Sequence, residues 1–382
     1  MTKRIFTIIT IITLLAASLL PVNAADYTLG DVDGVGGITA ADARLALRAS
    51  VNLEKLSGNT FKAADADNNG SVTAADARLI LRASVGLEDL DTSTPAERGY
   101  YKAGEIWKVD NNFEFTITRS RTHELCNQFS NKEHNLTDEQ VVIITYSYKN
   151  TGYNNGEYEL YMDIFNVYDE TGEKAILYAC THYRSPSSLI VGTNCTGEVA
   201  FALKNKSKTI TVELDEYTDS GKCEATYKIN VNESKSAPSY KLEIPSAQLD
   251  KMPGIGDKWT EPGKCEITIT DIDVHHLCND YSNRQNGYTN QQVVNITYTV
   301  KNLGINKDMY VSLYDVYDEK GTAGELYACT HTDYSGSCGI GESVTGSESF
   351  VLDNNSDFVL LEVEYNDTEY KEYNNVFKID IR

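Results

Sequence analysis

Asp31-Val-Asp-Gly-Val-Gly-Gly-Ile-Thr-Ala-Ala-Asp42 runs straight into Ala43-Arg-Leu-Ala-Leu-Arg-Ala-Ser-Val51. The pattern returns as Asp65-Ala-Asp-Asn-Asn-Gly-Ser-Val-Thr-Ala-Ala-Asp76, followed by Ala77-Arg-Leu-Ile-Leu-Arg-Ala-Ser-Val85. Each copy sets oxygen side chains at loop positions 1, 3, 9 and 12, a glycine at 6 and a branched apolar residue at 8. That is the ligand spacing of a twelve-residue calcium loop, because a hard cation needs six to eight oxygens and the chain must turn sharply at position 6. The first loop offers Asp31, Asp33, Gly37, Thr39 and Asp42. The second offers Asp65, Asp67, Asn69, Ser71, Thr73 and Asp76. Position 5 holds Val35 in the first loop and Asn69 in the second, so two calcium sites are expected and the first is the weaker. Thr39 and Thr73 can cap the runs that follow, which are rich in the helix formers Ala, Arg and Leu. Leu45, Leu47 and Val51, with Leu79, Leu81 and Val85, recur at helical spacing, and the first expectation for them is a core between two helices.

The doubled stretch resembles the type I dockerin, the calcium-dependent module that docks secreted proteins onto cohesin modules of cellulosome-like scaffolds. Three features carry the resemblance: each loop ends in Asp, only the helix after the loop is expected, and two units stand in tandem. Placed over residues 25–90, it implies a small all-α domain of paired EF-hand-like units and a cohesin partner. It also implies cohesin contacts through Ala40, Ala41, Leu47 and Arg48 and through Ala74, Ala75, Leu81 and Arg82. The Arg pair matches the basic character of the family's recognition surface. The Ala pairs depart from the Ser-Thr of the best-known cellulosomes and point to another specificity group. Since both copies carry the same surface residues, either helix could face the cohesin.

Met1 to Ala24 has Lys3 and Arg4, an apolar run from Ile5 to Leu20 and small residues before Ala25, which describes a secretory signal peptide rather than a membrane span. No second apolar span follows, and Phe377-Lys-Ile-Asp-Ile-Arg382 reads as a final strand. The expected location is extracellular, with the protein held at a surface or in a complex through cohesin. The net charge of −22 makes nucleic acid and anionic membranes poor partners, and losing Lys3 and Arg4 with the signal deepens it.

After a polar hinge at 91–98, a larger unit repeats. Leu125-Cys-Asn-Gln-Phe-Ser-Asn131 returns as Leu277-Cys-Asn-Asp-Tyr-Ser-Asn283, and Leu177-Tyr-Ala-Cys-Thr-His182 as Leu326-Tyr-Ala-Cys-Thr-His331. The copies span 99–231 and 257–382, with 232–256, carrying Pro238, Pro245 and Pro253, read as linker. Twenty-five Tyr stand against two Trp, and short β-branched and aromatic runs alternate with Asn- and Gly-rich turns. Strands are expected near 113–118, 141–148, 159–167, 197–203, 209–214 and 224–231. The fold expectation is therefore multidomain: the small helical module, then two all-β immunoglobulin-like sandwiches. The sandwiches resemble immunoglobulin-like modules on secreted Gram-positive proteins, a likeness that carries no chemistry.

His123, Cys126, Cys180 and His182 match His275, Cys278, Cys329 and His331 between the copies. The leading reading is a disulfide in each, Cys126–Cys180 and Cys278–Cys329, as export favours. The alternatives are a Cys2His2 zinc site, since Cys180 and His182 share one face of an extended strand, and free thiols, since a strictly anaerobic habitat weakens the case for oxidation. Cys195, Cys223, Cys265 and Cys338 do not align, and the pairings Cys195–Cys223 and Cys265–Cys338 stay open.

No nucleophile elbow, metalloprotease helix or phosphate loop appears. The reading is a non-catalytic, secreted component of a polysaccharide-degrading assembly, with sandwiches that bind glycan or a cell-surface protein or act as spacers. The alternative is an unfamiliar hydrolase with its site in strand-end loops such as 184–194. A glycan binder should show a row of exposed aromatics on one sheet face, and a hydrolase two carboxylates facing across a cleft.

Overall fold

A computed structural model describes residues 27–86, 90, 94–154, 159–180, 184–218, 220–305, 311–330, 332–333, 336–366 and 372–381. The expected signal peptide, His182 and His331 lie outside the described residues. The chain divides into two compact units, Met1–Thr94 and Pro95–Arg382.

In the first unit α1 (Ala40–Ser50) and α3 (Ala74–Ser84) each start after a loop, and a short α2 (Asn59–Ala64) precedes the second loop. Thr39 and Thr73 adopt extended backbone and close capping boxes with Asp42 and Asp76. The seam between α1 and α3 is narrower than the leucine spacing suggests. It is built from Ala43, Ala46, Ala77 and Ile80, with Val32, Ala64 and Ala66 from the loops and α2. Leu45 and Leu79 pack against this seam as expected. Leu47 and Leu81 do not: each is 48% exposed, and Val51 and Val85 are exposed as well. Small side chains let two short helices approach closely, which turns the next leucine in each outward.

The second unit opens on a single turn, α4 (Pro95–Arg98). The first copy follows as β1 (Trp107–Val109), β2 (Phe113–His123), α5 (Gln128–His134), β3 (Gln140–Asn150), β4 (Asn166–Tyr168), β5 (Ile176–Leu177), β6 (Asn194–Leu203), β7 (Thr209–Thr218) and β8 (Gly221–Asn230). After α6 (Ser246–Leu249), the second copy runs through β9 (Lys258–Glu261), β10 (Cys265–His275), α7 (Asp280–Asn286), β11 (Gln292–Asn302), β12 (Ser312–Tyr317), β13 (Glu325–Leu326), β14 (Ser343–Leu352), β15 (Phe358–Asn366) and β16 (Glu372–Asp380). One sheet of the first copy has strand order β1-β2-β3-β6-β5 and the other β4-β7-β8. The second copy repeats both, as β13-β14-β11-β10-β9 and β12-β15-β16. The strand pairs are antiparallel, which fits the immunoglobulin-like expectation.

Even the irregularities are duplicated. β2 bulges between Ile117 and Arg119, and β10 between Ile269 and Asp271. Within each bulge a threonine hydroxyl, Thr118 or Thr270, donates to a carbonyl of the facing strand, on Thr145 or Thr297.

Two local expectations need correction. Of the run 159–167, only Asn166 onward joins a ladder as β4. Leu160, Met162 and Ile164 are buried in alternation, yet the backbone there makes a single bridge, Leu160 to Leu189. Second, each copy contains a seven-residue helix where only strands and turns are expected. Asn127 caps α5 by accepting from the backbone N–H groups of Phe129 and Ser130, and Asn279 does the same for α7.

The segment 232–256 is closely held. Leu242, Ile244, Leu249 and Met252 pack on the first core, Lys235 donates its backbone N–H to Thr118, and Lys378 donates to Pro253. The copies also touch directly. Asn194 donates its backbone N–H to the Gly321 carbonyl at 2.7 Å and accepts from Ala323 at 2.9 Å. Tyr317 donates its hydroxyl to the Ser188 carbonyl at 2.7 Å. Tyr317, Ala323 and Leu360 of the second copy thereby join the core of the first.

Candidate metal centre

The doubled loop gathers its carboxylates as the spacing requires. Ligand oxygens of Asp31, Asp33 and Asp42 lie within 4.8 Å of one another, as do those of Asp65, Asp67 and Asp76. Asp42 and Asp76 are fully buried at the start of their helices. Each does two jobs. One carboxylate oxygen of Asp42 accepts from Thr39 N at 2.9 Å and Thr39 Oγ1 at 2.6 Å, while the other accepts from Asp33 N at 3.0 Å. Asp76 repeats this with Thr73 N at 2.8 Å, Thr73 Oγ1 at 2.9 Å and Asp67 N at 3.2 Å. The last loop ligand is therefore also the third residue of the helix, so filling the loop and capping the helix are one event. Burial works to raise Asp42, but the hydrogen bonds from Thr39 and from the backbone of Asp33, Thr39 and Val32 outweigh it and hold the carboxyl below its ordinary range. Asp65 moves the other way, raised by burial and by the charge of Asp76 against hydrogen bonds from Gly70 and Asn69.

The loops are unequal in the way Val35 suggests. In the second, Asp65 accepts from Asn69 N and Gly70 N at 3.0 and 2.8 Å, and the Asn69 side chain accepts from Ser71 N at 2.9 Å. These bonds shape the loop around its ligands. In the first, Val35 is 71% exposed and carries no oxygen to play the part of Asn69. Gly34, Gly36 and Gly37 there all have positive φ, at 72°, 79° and 79°. Only Asn68 and Gly70 do so in the second loop, so the peptide at position 7 is set differently in the two. Asp31 Oδ1 is buried and accepts no hydrogen bond among the described residues. A buried carboxylate oxygen without a donor, beside two further carboxylates, is the donor set a calcium ion would complete.

All the residues expected to meet cohesin are exposed: Ala40, Ala41, Leu47 and Arg48 on α1, and Ala74, Ala75, Leu81 and Arg82 on α3. Arg48 is held by Glu54 at 3.3 Å. Each helix thus shows a small-residue start, an apolar step and a basic end.

The Cys/His sets fall beside the short helices. Cys278 and Cys329 are joined as a disulfide. Cys126 and Cys180 have their sulfurs 3.4 Å apart, and His123 lies close enough for one atom of each residue to fall within 4.8 Å of the others. His275 ends β10. The repeated motifs around these cysteines have a structural role that the sequence did not disclose. Tyr178 accepts from Asn127 N at 2.7 Å and donates to the Asn131 side chain at 3.0 Å, while Asn127 Nδ2 reaches the Ala179 carbonyl at 2.9 Å. Tyr327, Asn279, Asn283 and Ala328 repeat the arrangement within 2.9 Å. Of the unaligned cysteines, Cys195, Cys265 and Cys338 are buried as thiols and Cys223 is half-buried.

The tryptophans are packing residues: Trp107 is buried edge-on against Phe113, and Trp259 packs against the second core beside Tyr365. Exposed rings are scattered, with Phe129 on α5, Tyr281 on α7, Tyr161 and Phe165 in the stretch before β4, and Tyr217 on β7.

Residues 29–83 match the family model of the Dockerin type I domain. The chain thus carries a type I dockerin module over those residues, and such a module supports calcium-dependent cohesin docking in an extracellular, cellulosome-type complex. No curated protein matches the chain.

Proposed function

We propose that this protein is a secreted, non-catalytic component of a polysaccharide-degrading assembly, placed on a cohesin by residues 31–87 and carrying two sandwiches as binding or spacing modules. The observation that carries the reading is the doubled carboxylate triad at the head of two capped helices with matching exposed faces. Calcium would be held by Asp31, Asp33, Asp42, Thr39 and the position-7 carbonyl in one loop, and by Asp65, Asp67, Asn69, Thr73, Asp76 and the Ser71 carbonyl in the other. Bound there, it would neutralise the clustered charge. The residues themselves do the rest: Asp42 and Asp76 fix the helix starts, and the two equal faces allow cohesin to be engaged from either helix.

The sandwiches supply glycan or cell-surface binding, or distance. One carboxylate cluster there, Glu159, Asp315 and Glu362, has its oxygens within 4.8 Å of one another and includes a Glu362 that is 3% exposed. A glycosidase pair faces a cleft, and a buried Glu362 is unsuited to that role. Export would use the Met1 to Ala24 segment, and the cysteine pairs would serve as staples, with zinc on His123, Cys126 and Cys180 the alternative in the first copy.

The test is capture of the full chain by a panel of immobilised cohesins, with calcium and with excess chelator. Capture by at least one cohesin that disappears on chelation supports the reading. A glycan and surface-protein array probed with the same chain then separates a binding role from spacing.

A further inference from the structure

One face of β15 carries residues 358, 360, 362 and 364, and its counterpart on β7 carries 209, 211, 213 and 215. On β7 this face is polar, and Thr209, Glu213 and Asp215 are exposed. On β15 the first two positions have become Phe358 and Leu360, which pack against the first copy's core. The third has stayed acidic. Glu362 is only 3% exposed, with Glu159 of the first copy and Asp315 and Asn374 of its own beside it.

Glu362 is not alone there. Asp315, at the bulge in β12, and Glu159, from the first copy, bring carboxylate oxygens to within 4.8 Å of it and of each other. Asn374 donates to Glu362 Oε1 at 3.0 Å. Its Oε2 is buried and receives no conventional donor among the described residues, and the Glu362 carboxyl meets that of Glu159 side chain to side chain. The charged groups acting on Glu362 are Glu159 and Asp315, and those acting on Asp315 are Glu159 and Glu364, all acidic. Burying one carboxylate without a counter-charge is costly, and crowding three compounds the cost.

The first copy shows the same place balanced otherwise. There Asn166 stands where the second copy has Asp315, and Lys174 donates its ammonium to Asn166 Oδ1 at 2.7 Å. In the second copy the lysine position is Ala323, which is 1% exposed. An amide has become an acid and the cation beside it has gone.

We propose that Glu159, Asp315 and Glu362 form a third calcium site, one that clamps the first sandwich to the second. Calcium–oxygen distances of about 2.3–2.6 Å place any two ligands of one ion at most about 5 Å apart, as these oxygens are. Magnesium, at about 2.0–2.1 Å, allows at most about 4.2 Å, a narrower range. Carboxylates from both copies on one ion make the junction depend on the cation, in a unit separate from the docking loops.

The experiment uses the full chain with the docking loops silenced by Asp42→Ala and Asp76→Ala, so that a failure here is distinct from a failure of docking. Millimolar calcium, compared with millimolar magnesium, should raise the sandwich melting transition by about 5 °C. Adding Asp315→Asn and Glu362→Gln, which keep shape and remove charge, should abolish that rise. In the chain with intact loops the same pair should lower the bound calcium, counted by equilibrium dialysis, by one ion. No calcium-specific rise in the loop-silenced chain, or an equal rise with the amide pair in place, would overturn the site and leave shared protons as the way the cluster is neutralised.

Discussion

The two doublings in this chain have diverged in opposite places. The calcium loops keep their outsides: Ala40, Ala41, Leu47 and Arg48 are matched by Ala74, Ala75, Leu81 and Arg82, all exposed. Their ligand loops differ, with Val35 against Asn69 and three positive-φ glycines against one. The sandwiches keep their insides, down to the bulges in β2 and β10 and the Tyr178 and Tyr327 hydrogen-bond sets. Their outsides differ, Thr209 and Thr211 facing outward where Phe358 and Leu360 pack inward. Under the proposed docking, equal outer faces would leave the loop-helix units interchangeable toward cohesin. Unequal outsides let one sandwich cover a face of the other.

The sharpest way to break the second half of that contrast is one substitution at two equivalent sites. Leu360→Asp buries a charge where the side chain is fully enclosed and should cost about 3–5 kcal/mol by denaturant unfolding. Thr211→Asp, on the half-buried β7 face, should cost less than about 1 kcal/mol. Equal costs would mean that the two faces are not differently covered.

For the loops, Asp42→Ala and Asp76→Ala each remove a ligand and a helix cap. Because the second loop is better shaped around its ligands, Asp76→Ala should reduce calcium affinity and helicity more, by about tenfold or greater, as followed by calorimetry and far-UV circular dichroism. Val35→Asp supplies the missing oxygen. It should tighten the first site, the one expected to be weaker, by about tenfold, and an unchanged titration curve would show that Val35 is not what separates the loops. The smallest effect probes what the sandwiches share. Tyr178→Phe and Tyr327→Phe each unpair the Asn127 or Asn279 backbone N–H and should cost about 1 kcal/mol apiece, equally in the two copies.

Much of this architecture was legible in the residues. Loop spacing, tandem register and the 99–231 and 257–382 repeat are chemical or literal patterns, and they mark out the module and the sandwiches. What escaped depends on partners far along the chain. Leu47 and Leu81 looked like core because helical spacing cannot tell which apolar stripe meets the other helix, and here the seam belongs to Ala46 and Ile80. Helices α5 and α7 are too short to show a period, and their signal is the Asn127 and Asn279 caps. Leu160, Met162 and Ile164 alternate as a strand would, because burial sets that pattern whether or not a neighbouring strand takes the backbone. Glu362 reads locally as a solvated strand residue, and its burial comes from groups far along the chain, Glu159 of the first copy among them.

The most direct test of the central claim is cohesin capture by the full chain as free calcium is lowered with chelator. The account predicts that capture falls away as calcium is withdrawn, that α1 and α3 lose helicity over the same range, and that both return when calcium is restored. Undiminished capture in excess chelator would contradict it.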